Sequence, residues 1–165
     1  MGELRFEKVR GGATLALSNG TTVRGCLFLA PASEFHEGPE RIKDVLNGET
    51  GFFPFEVDGN GHSHGSDQGV TALIHRDHVV YVTLHNDDEP RTDPGYEFAV
   101  TKNVSVLLTD GRRLSGKVRV YSPRGRDRLS DYARILEVFR YLESPDATHI
   151  INSRHIVELR ETDRS

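Results

Sequence analysis

The chain predicts a mainly β protein with a minor α component, built as a tandem duplication of one small rolled sheet. Three observations carry this expectation: two near-identical hairpin segments, four blocks that recur in the same order, and aliphatic residues alternating with polar ones around each hairpin. ALSNGTTVRGCL (16–27) and LLTDGRRLSGKV (107–118) are the two hairpins. Leu17, Asn19, Gly20, Val23, Gly25, Leu27 and Leu29 fall on Leu108, Asp110, Gly111, Leu114, Gly116, Val118 and Val120 without a gap. RIKDV (41–45) then falls on RLSDY (128–132), Phe52 and Phe55 on Phe139 and Leu142, and LIHRDHVVYV (73–82) on IINSRHIVEL (150–159). Self-similarity at this scale marks one supersecondary unit made twice.

Each element has a local reason. Asn-Gly and Asp-Gly between alternating apolar runs are strong hairpin signals and predict two-residue type I′ turns, with positive φ at both central residues. Period-two alternation places Leu15, Leu17, Val23, Leu27 and Leu29 on one face, with Val106, Leu108, Leu114, Val118 and Val120 as their counterparts. Thr14, Arg24, Ser105, Ser115 and Lys117 are left on the other face. Gly25 and Gly116 fall on the inward face, where a missing side chain lets the strand bend as the sheet rolls. PERIKDVLNG reads as a short helix, opened by Pro39 and Glu40 and stopped by Asn47-Gly48. RLSDYARILEVFRYLE fits either a longer helix or a helical turn followed by a strand, and its match to FFPFEV favours a strand over 139–143. The last block reads as strand, tight turn, strand: TALIHR with VVYVTL, and HIINS with IVELRE. The unit is therefore β-β-α-β-β-β, with one short helix per repeat. Pro90, Pro94 and Gly95 mark a connection, dividing the chain into a first repeat (1–88), a linker (89–100) and a second repeat (101–165).

The bulk numbers narrow the setting. With 8% aromatics and no Trp among 165 residues, the core must be mainly aliphatic. A single Cys26, in an apolar stretch, excludes an internal disulfide and reads as a buried, inert thiol. The start, MGELRFEKVR, has no apolar signal segment, and no apolar run approaches a membrane span. The expectation is a cytoplasmic protein with no membrane partner.

Candidate chemistry is sparse. His62 and His64 in DGNGHSHGSDQG, with Asp58 and Asp67 nearby, form a His-x-His pattern that could hold a divalent metal, although the glycines impose no fixed geometry on a ligand set. His75, His85 and His149 are further imidazoles, while His78 and His155 recur at one place in both copies, which suits a tight-turn side chain bonding a backbone carbonyl. Asp44 and Asp131 each follow an arginine, Arg41 or Arg128, by three residues, the spacing of an ion pair on one helical turn. No Ser-His-Asp signature, phosphate-cradling glycine loop or zinc-protease helix occurs, so the expectation is a non-enzyme with no cofactor. Charge is uneven: residues 1–100 carry 8 basic and 16 acidic side chains, and residues 101–165 carry 13 and 9. Arg119, Tyr121, Arg124, Arg126 and Arg128 concentrate the positive excess, a composition suited to a phosphate backbone and stacked bases, to a solvated loop, or to docking on the acidic first half.

The hairpin pattern, from Leu17-x-Asn19-Gly20 to Val23-x-Gly25-x-Leu27 and from Leu108-x-Asp110-Gly111 to Leu114-x-Gly116-x-Val118, resembles the Sm-like members of the SH3-like barrels, as does a final turn between two short strands. The resemblance covers most of both copies and extends to bacterial proteins of unknown function that carry the same repeat. It implies two tandem small barrels. An Sm-like RNA pocket would draw on Asp44 with Asn47, Asp131 with Arg134, and His75-Arg76 or Ser153-Arg154 in the last turns, where no glycine follows the arginine. The helical piece also lies after the second strand rather than before the first. The expected function is non-catalytic binding or scaffolding through protein–protein contact or self-association. The alternative is nucleic-acid binding through the arginine-rich segment, and a weaker one is divalent-metal binding through His62 and His64.

Overall fold

A computed structural model describes residues 8–34, 36–59, 69–121, 128–134 and 137–162. The first half contains β1 (Val9–Leu17), β2 (Thr22–Leu29), α1 (Ile42–Gly48), β3 (Phe52–Val57), β4 (Val70–His75) and β5 (Val79–Leu84). The second contains β6 (Val100–Leu108), β7 (Arg113–Val120), α2 (Leu129–Ala133), β8 (Phe139–Glu143), β9 (Thr148–Asn152) and β10 (Ile156–Glu161). The order β-β-α-β-β-β thus occurs in both halves, and 139–143 is a strand, as the match to FFPFEV indicated. All the strand pairs are antiparallel and belong to one ten-stranded sheet, ordered β10-β6-β7-β8-β9-β5-β1-β2-β3-β4, which does not close on itself. Within each half the sequence is fifth-first-second-third-fourth strand. The halves join where β9, a fourth strand, pairs with β5, a fifth strand.

The hairpin turns differ from expectation. No residue other than glycine has positive φ among the described residues, so the turns are not type I′. Gly20 alone is left-handed, at φ 86°, and its N–H bonds Leu17 O while Leu17 N–H bonds Thr21 O. That is a three-residue loop with its glycine after the bend. Asn19 Oδ1 accepts from Thr21 N–H at 3.0 Å, which holds Asn19 out of the left-handed region by giving its side chain the turn hydrogen bond. The second copy repeats every contact: Gly111 at φ 87°, Gly111 N–H to Leu108 O, Leu108 N–H to Arg112 O, and Arg112 N–H to Asp110 Oδ1.

Gly25 and Gly116 are required by close approach as well as by bending. A Cβ on Gly25 would lie 1.9 Å from the carbonyl oxygen of Glu56 on β3, and one on Gly116 would lie 2.6 Å from that of Glu143 on β8. The alternating faces hold for Leu15, Leu27, Leu29, Val106, Leu108, Val118 and Val120, all buried. Ser105 departs from its expected place: it is buried, and its hydroxyl accepts a hydrogen bond from Arg113 Nη1 at 2.9 Å. Two aliphatic cores result, and each borrows across the joint. Phe139 and Ile150 of the second half pack in the first core, and Ala16, Val80 and Tyr81 of the first half pack in the second.

Candidate docking edges

The β5–β9 joint shows how the two halves of the chain bind. Its register is Tyr81↔Ile151, Val82↔Ile150 and Thr83↔His149. Around this apolar seam lies a set of polar links. Asn152 Nδ2 donates to Val79 O at 3.0 Å and Arg76 O at 3.4 Å, and His155 Nε2 donates to Asp77 O at 2.6 Å. Arg154 pairs with Asp77 at 3.5 Å, and Arg112 donates to the Tyr81 hydroxyl at 2.6 Å. Asn47 at the end of α1 grips Phe139 with both amide groups, its Nδ2 on the carbonyl and its Oδ1 on the N–H. The Thr83 hydroxyl meets His149 Nδ1 at 2.9 Å, and burial holds the His149 pKa below its ordinary value.

The connection between the halves is folded, with 3-10 turns at Glu89–Thr92 and Tyr96–Phe98. Glu89 accepts from the Ile42 and Lys43 N–H groups at the start of α1 and from the Tyr141 hydroxyl of β8, tying helix, connection and second half together. Burial raises its carboxyl pKa. Arg41 bonds Asp44 and Asp93, and Lys43 pairs with Glu137 at 2.8 Å while lying 4.5 Å from the Tyr141 ring centre. Asp44 also accepts from the Arg41 N–H, as Asp131 does from Arg128, so the recurring aspartates cap the two short helices.

The sheet ends on β4 and β10, and their surfaces differ sharply from those in the joint. Leu73 of β4 is 66% exposed, whereas its counterpart Ile150 is 0%. Val157 of β10 is 62% exposed and Phe52 of β3 is 59%, against 0% for Val80 and 2% for Phe139. Val70 of β4 is exposed as well, and of the four apolar residues left in solvent at the sheet ends Leu73, Phe52 and Val157 are matched by three that the other half covers. β4 (VTALIH) carries no Asp, Glu, Lys or Arg, while β10 (IVELRE) carries three such residues.

The arginine-rich segment is partly absorbed by internal contacts. Arg119 bonds Glu143 at 2.6 Å and lies 3.6 Å from the Tyr96 ring centre, and the Tyr121 hydroxyl bonds Asp93 at 3.3 Å. Arg128 is the residue before α2, exposed at its N-terminus. Arg124 and Arg126 lie outside the described residues, as do His62 and His64. Among the described residues no group of three or more His, Cys, Asp or Glu side chains is placed to hold a metal ion. A cleft of about 310 Å³ is lined by Lys43, Tyr121, Tyr132 and Tyr141, but the Lys43 and Arg119 charges there are answered by Glu137 and Glu143. Cys26 is half-buried with its thiol pKa raised by burial, consistent with an unreactive group. Among the described residues no helix is long and apolar enough to cross a membrane. Sequence reasoning missed Asn152 as a joint residue, although His75 holds the matching place in the first half. The available signal was their shared place before each recurrent histidine turn. The chain matches no family model, no curated protein and no solved structure.

Proposed function

We propose that the protein is a non-catalytic scaffold, two tandem copies of an SH3-like unit, that self-associates head to tail, β4 of one copy pairing with β10 of the next. The observation that supports this reading is the exposure of Leu73, Phe52 and Val157 at the sheet ends where Ile150, Phe139 and Val80 are covered inside. An open strand edge offers unpaired backbone donors and acceptors to another strand, and proteins normally blunt such edges with charge or cover them. β4 carries no such charge. The contact is heterologous, since a fifth strand meets a fourth, so it extends to a ring or a filament.

Magnitude favours reversible assembly. Burying three large apolar side chains contributes roughly 1.5–3 kcal/mol each. The loss of translational and rotational freedom costs about 4–15 kcal/mol. With a few strand hydrogen bonds added, at about 1 kcal/mol each, affinity falls in the micromolar range or weaker. The test uses Leu73→Lys, which blocks β4, and Val157→Lys, which blocks β10. Sedimentation velocity should show concentration-dependent growth of the wild type, monomers for each variant alone, and a 1:1 heterodimer on mixing. A wild type that remains monomeric at high concentration overturns the reading. A Val157→Lys chain that still dimerises alone overturns the head-to-tail arrangement in favour of β4 meeting β4.

A further inference from the structure

We infer that the three-residue turn after β4 is a latch, in which His75 and His78 donate hydrogen bonds to carbonyl oxygens of the 153–156 turn of a second copy. This rests on the head-to-tail reading and adds what selects the partner. Strand pairing alone uses backbone groups common to every chain, so selectivity must come from side chains at the strand ends.

The internal joint supplies the template. Asn152 stands immediately before the Ser153–His155 turn, its Oδ1 accepting from Arg154 N–H at 3.0 Å, which leaves its amide N–H groups for Arg76 O and Val79 O across the joint. His155 places Nδ1 2.6 Å from the Thr109 hydroxyl and gives its Nε2–H to Asp77 O. The first half prepares the same set. His75 stands immediately before the Arg76–His78 turn, and its Nδ1 accepts from Asp77 N–H at 3.1 Å, which places the ring proton on Nε2. His78 Nδ1 lies 2.8 Å from the Ser18 hydroxyl, the counterpart of the contact between His155 Nδ1 and Thr109. The two rings are 5.7 Å apart, and neither Nε2 has a partner among the described residues.

Transposing the joint onto the free edge assigns each donor an acceptor. His75 takes the place of Asn152 and meets Ile156 O or Ser153 O of the second copy, one proton serving where the amide has two. His78 takes the place of His155 and meets Arg154 O. The Asp77–Arg154 ion pair recurs with its roles exchanged, because the matched positions carry opposite charges. An unrelated edge strand lacks a following 3-10 turn with these carbonyls, so the latch favours another copy of this chain.

The experiment uses the heterodimer of the two edge-blocked chains, placing His75→Phe and His78→Phe together in the Val157→Lys chain, which supplies β4. Aromatic rings are kept, while the Nε2 donors are removed together with the Nδ1 contacts to Asp77 N–H and the Ser18 hydroxyl. Dissociation constants from sedimentation or fluorescence titration should rise about tenfold or more, two lost hydrogen bonds' worth. His75→Asn, which copies the internal joint, should hold affinity to within about threefold. Melting curves of the monomeric variants check that they are folded. An unchanged dissociation constant for the double Phe variant overturns the latch and leaves the scaffold reading standing. Failure of the parent pair to form any heterodimer overturns both.

Discussion

Replacing Asn152 by Asp tests whether the internal joint is held by a directed donor or by packing alone. Asn152 is 1% exposed and makes three hydrogen bonds: it donates to Val79 O and Arg76 O and accepts from Arg154 N–H. Asn152→Ala removes all three, leaving groups that must find water or remain unsatisfied, for a loss of about 2–4 kcal/mol. Asn152→Asp is nearly isosteric and retains the acceptor for Arg154 N–H, so a packing account predicts that it is the milder change. The donor account predicts the reverse. A carboxylate would face the Val79 oxygen at about the amide's 3.0 Å, adding repulsion and desolvation of roughly 1–2 kcal/mol beyond the alanine variant. Such an Asp has a folded-state pKa above its unfolded value of about 3.9, so the penalty should be full near pH 7 and shrink as pH falls and the protonated carboxyl donates again. Urea unfolding at low protein concentration, followed by far-ultraviolet circular dichroism and tyrosine fluorescence, measures both variants. If the Asp variant matches or exceeds the Ala variant at pH 7, Asn152 is not the donor described.

Two further predictions concern stability. Gly25→Ala should destabilise more than Gly116→Ala, by roughly 3 kcal/mol or more against 1–3 kcal/mol, because the new methyl group meets a backbone oxygen at 1.9 Å in one case and 2.6 Å in the other; chemical unfolding ranks them. His36 bonds Glu37 O at 2.9 Å and Asp44 at 2.7 Å through its two ring nitrogens, an arrangement that suits the imidazolium. The Glu37 carbonyl first, and Asp44 second, raise its pKa, so the stability it contributes is present below about pH 6.5 and is lost as pH rises through the raised value. Melting temperature should decline across that window in the wild type, with a shallower slope in His36→Gln; equal slopes would remove His36 from the account.

The order of elements was legible because each rests on local chemistry: glycine turns, alternating aliphatics and the Pro39 to Gly48 punctuation. The matched blocks even placed the strand at 139–143, where local composition also suited a helix. The β5–β9 pairing was not legible, since alternation assigns a side chain to a face and says nothing of which strand lies alongside. The turn type was misread for a related reason. Asn19 and Asp110 tolerate left-handed backbone, yet their side-chain oxygens can instead bond the N–H two residues on, and that contact prevails here. Glu89 was hidden by its setting among prolines and charged residues, where nothing local announces three buried hydrogen-bond donors. The arginine-rich segment kept its charge but lost part of its freedom to Glu143 and Tyr96, partners that only the β7–β8 pairing and the folded connection bring near.

Differences between matched edges say more about use than their similarity does. β5 reads VVYVTL and is buried along most of its length, whereas β10, built on the same plan, reads IVELRE. Had the outer edge needed only to be sealed, charge on both outer strands would have sufficed; had it needed a permanent joint, β10 would resemble β5. The chain does neither. It places Glu158, Arg160 and Glu161 on one edge and none on the other, so β10 is blunted by charged, hydrated side chains while β4 remains open to a strand. In the proposed contact, charges on one partner would lower its strength without abolishing it, and would disfavour β10 meeting β10. The internal joint is mostly apolar along its seam, with Thr83 and His149 at one end, and is fastened by Asn152, Asn47 and Glu89. On the proposed self-association, one contact geometry would serve in two strengths, a fixed version that unites the halves and a reversible version at the ends.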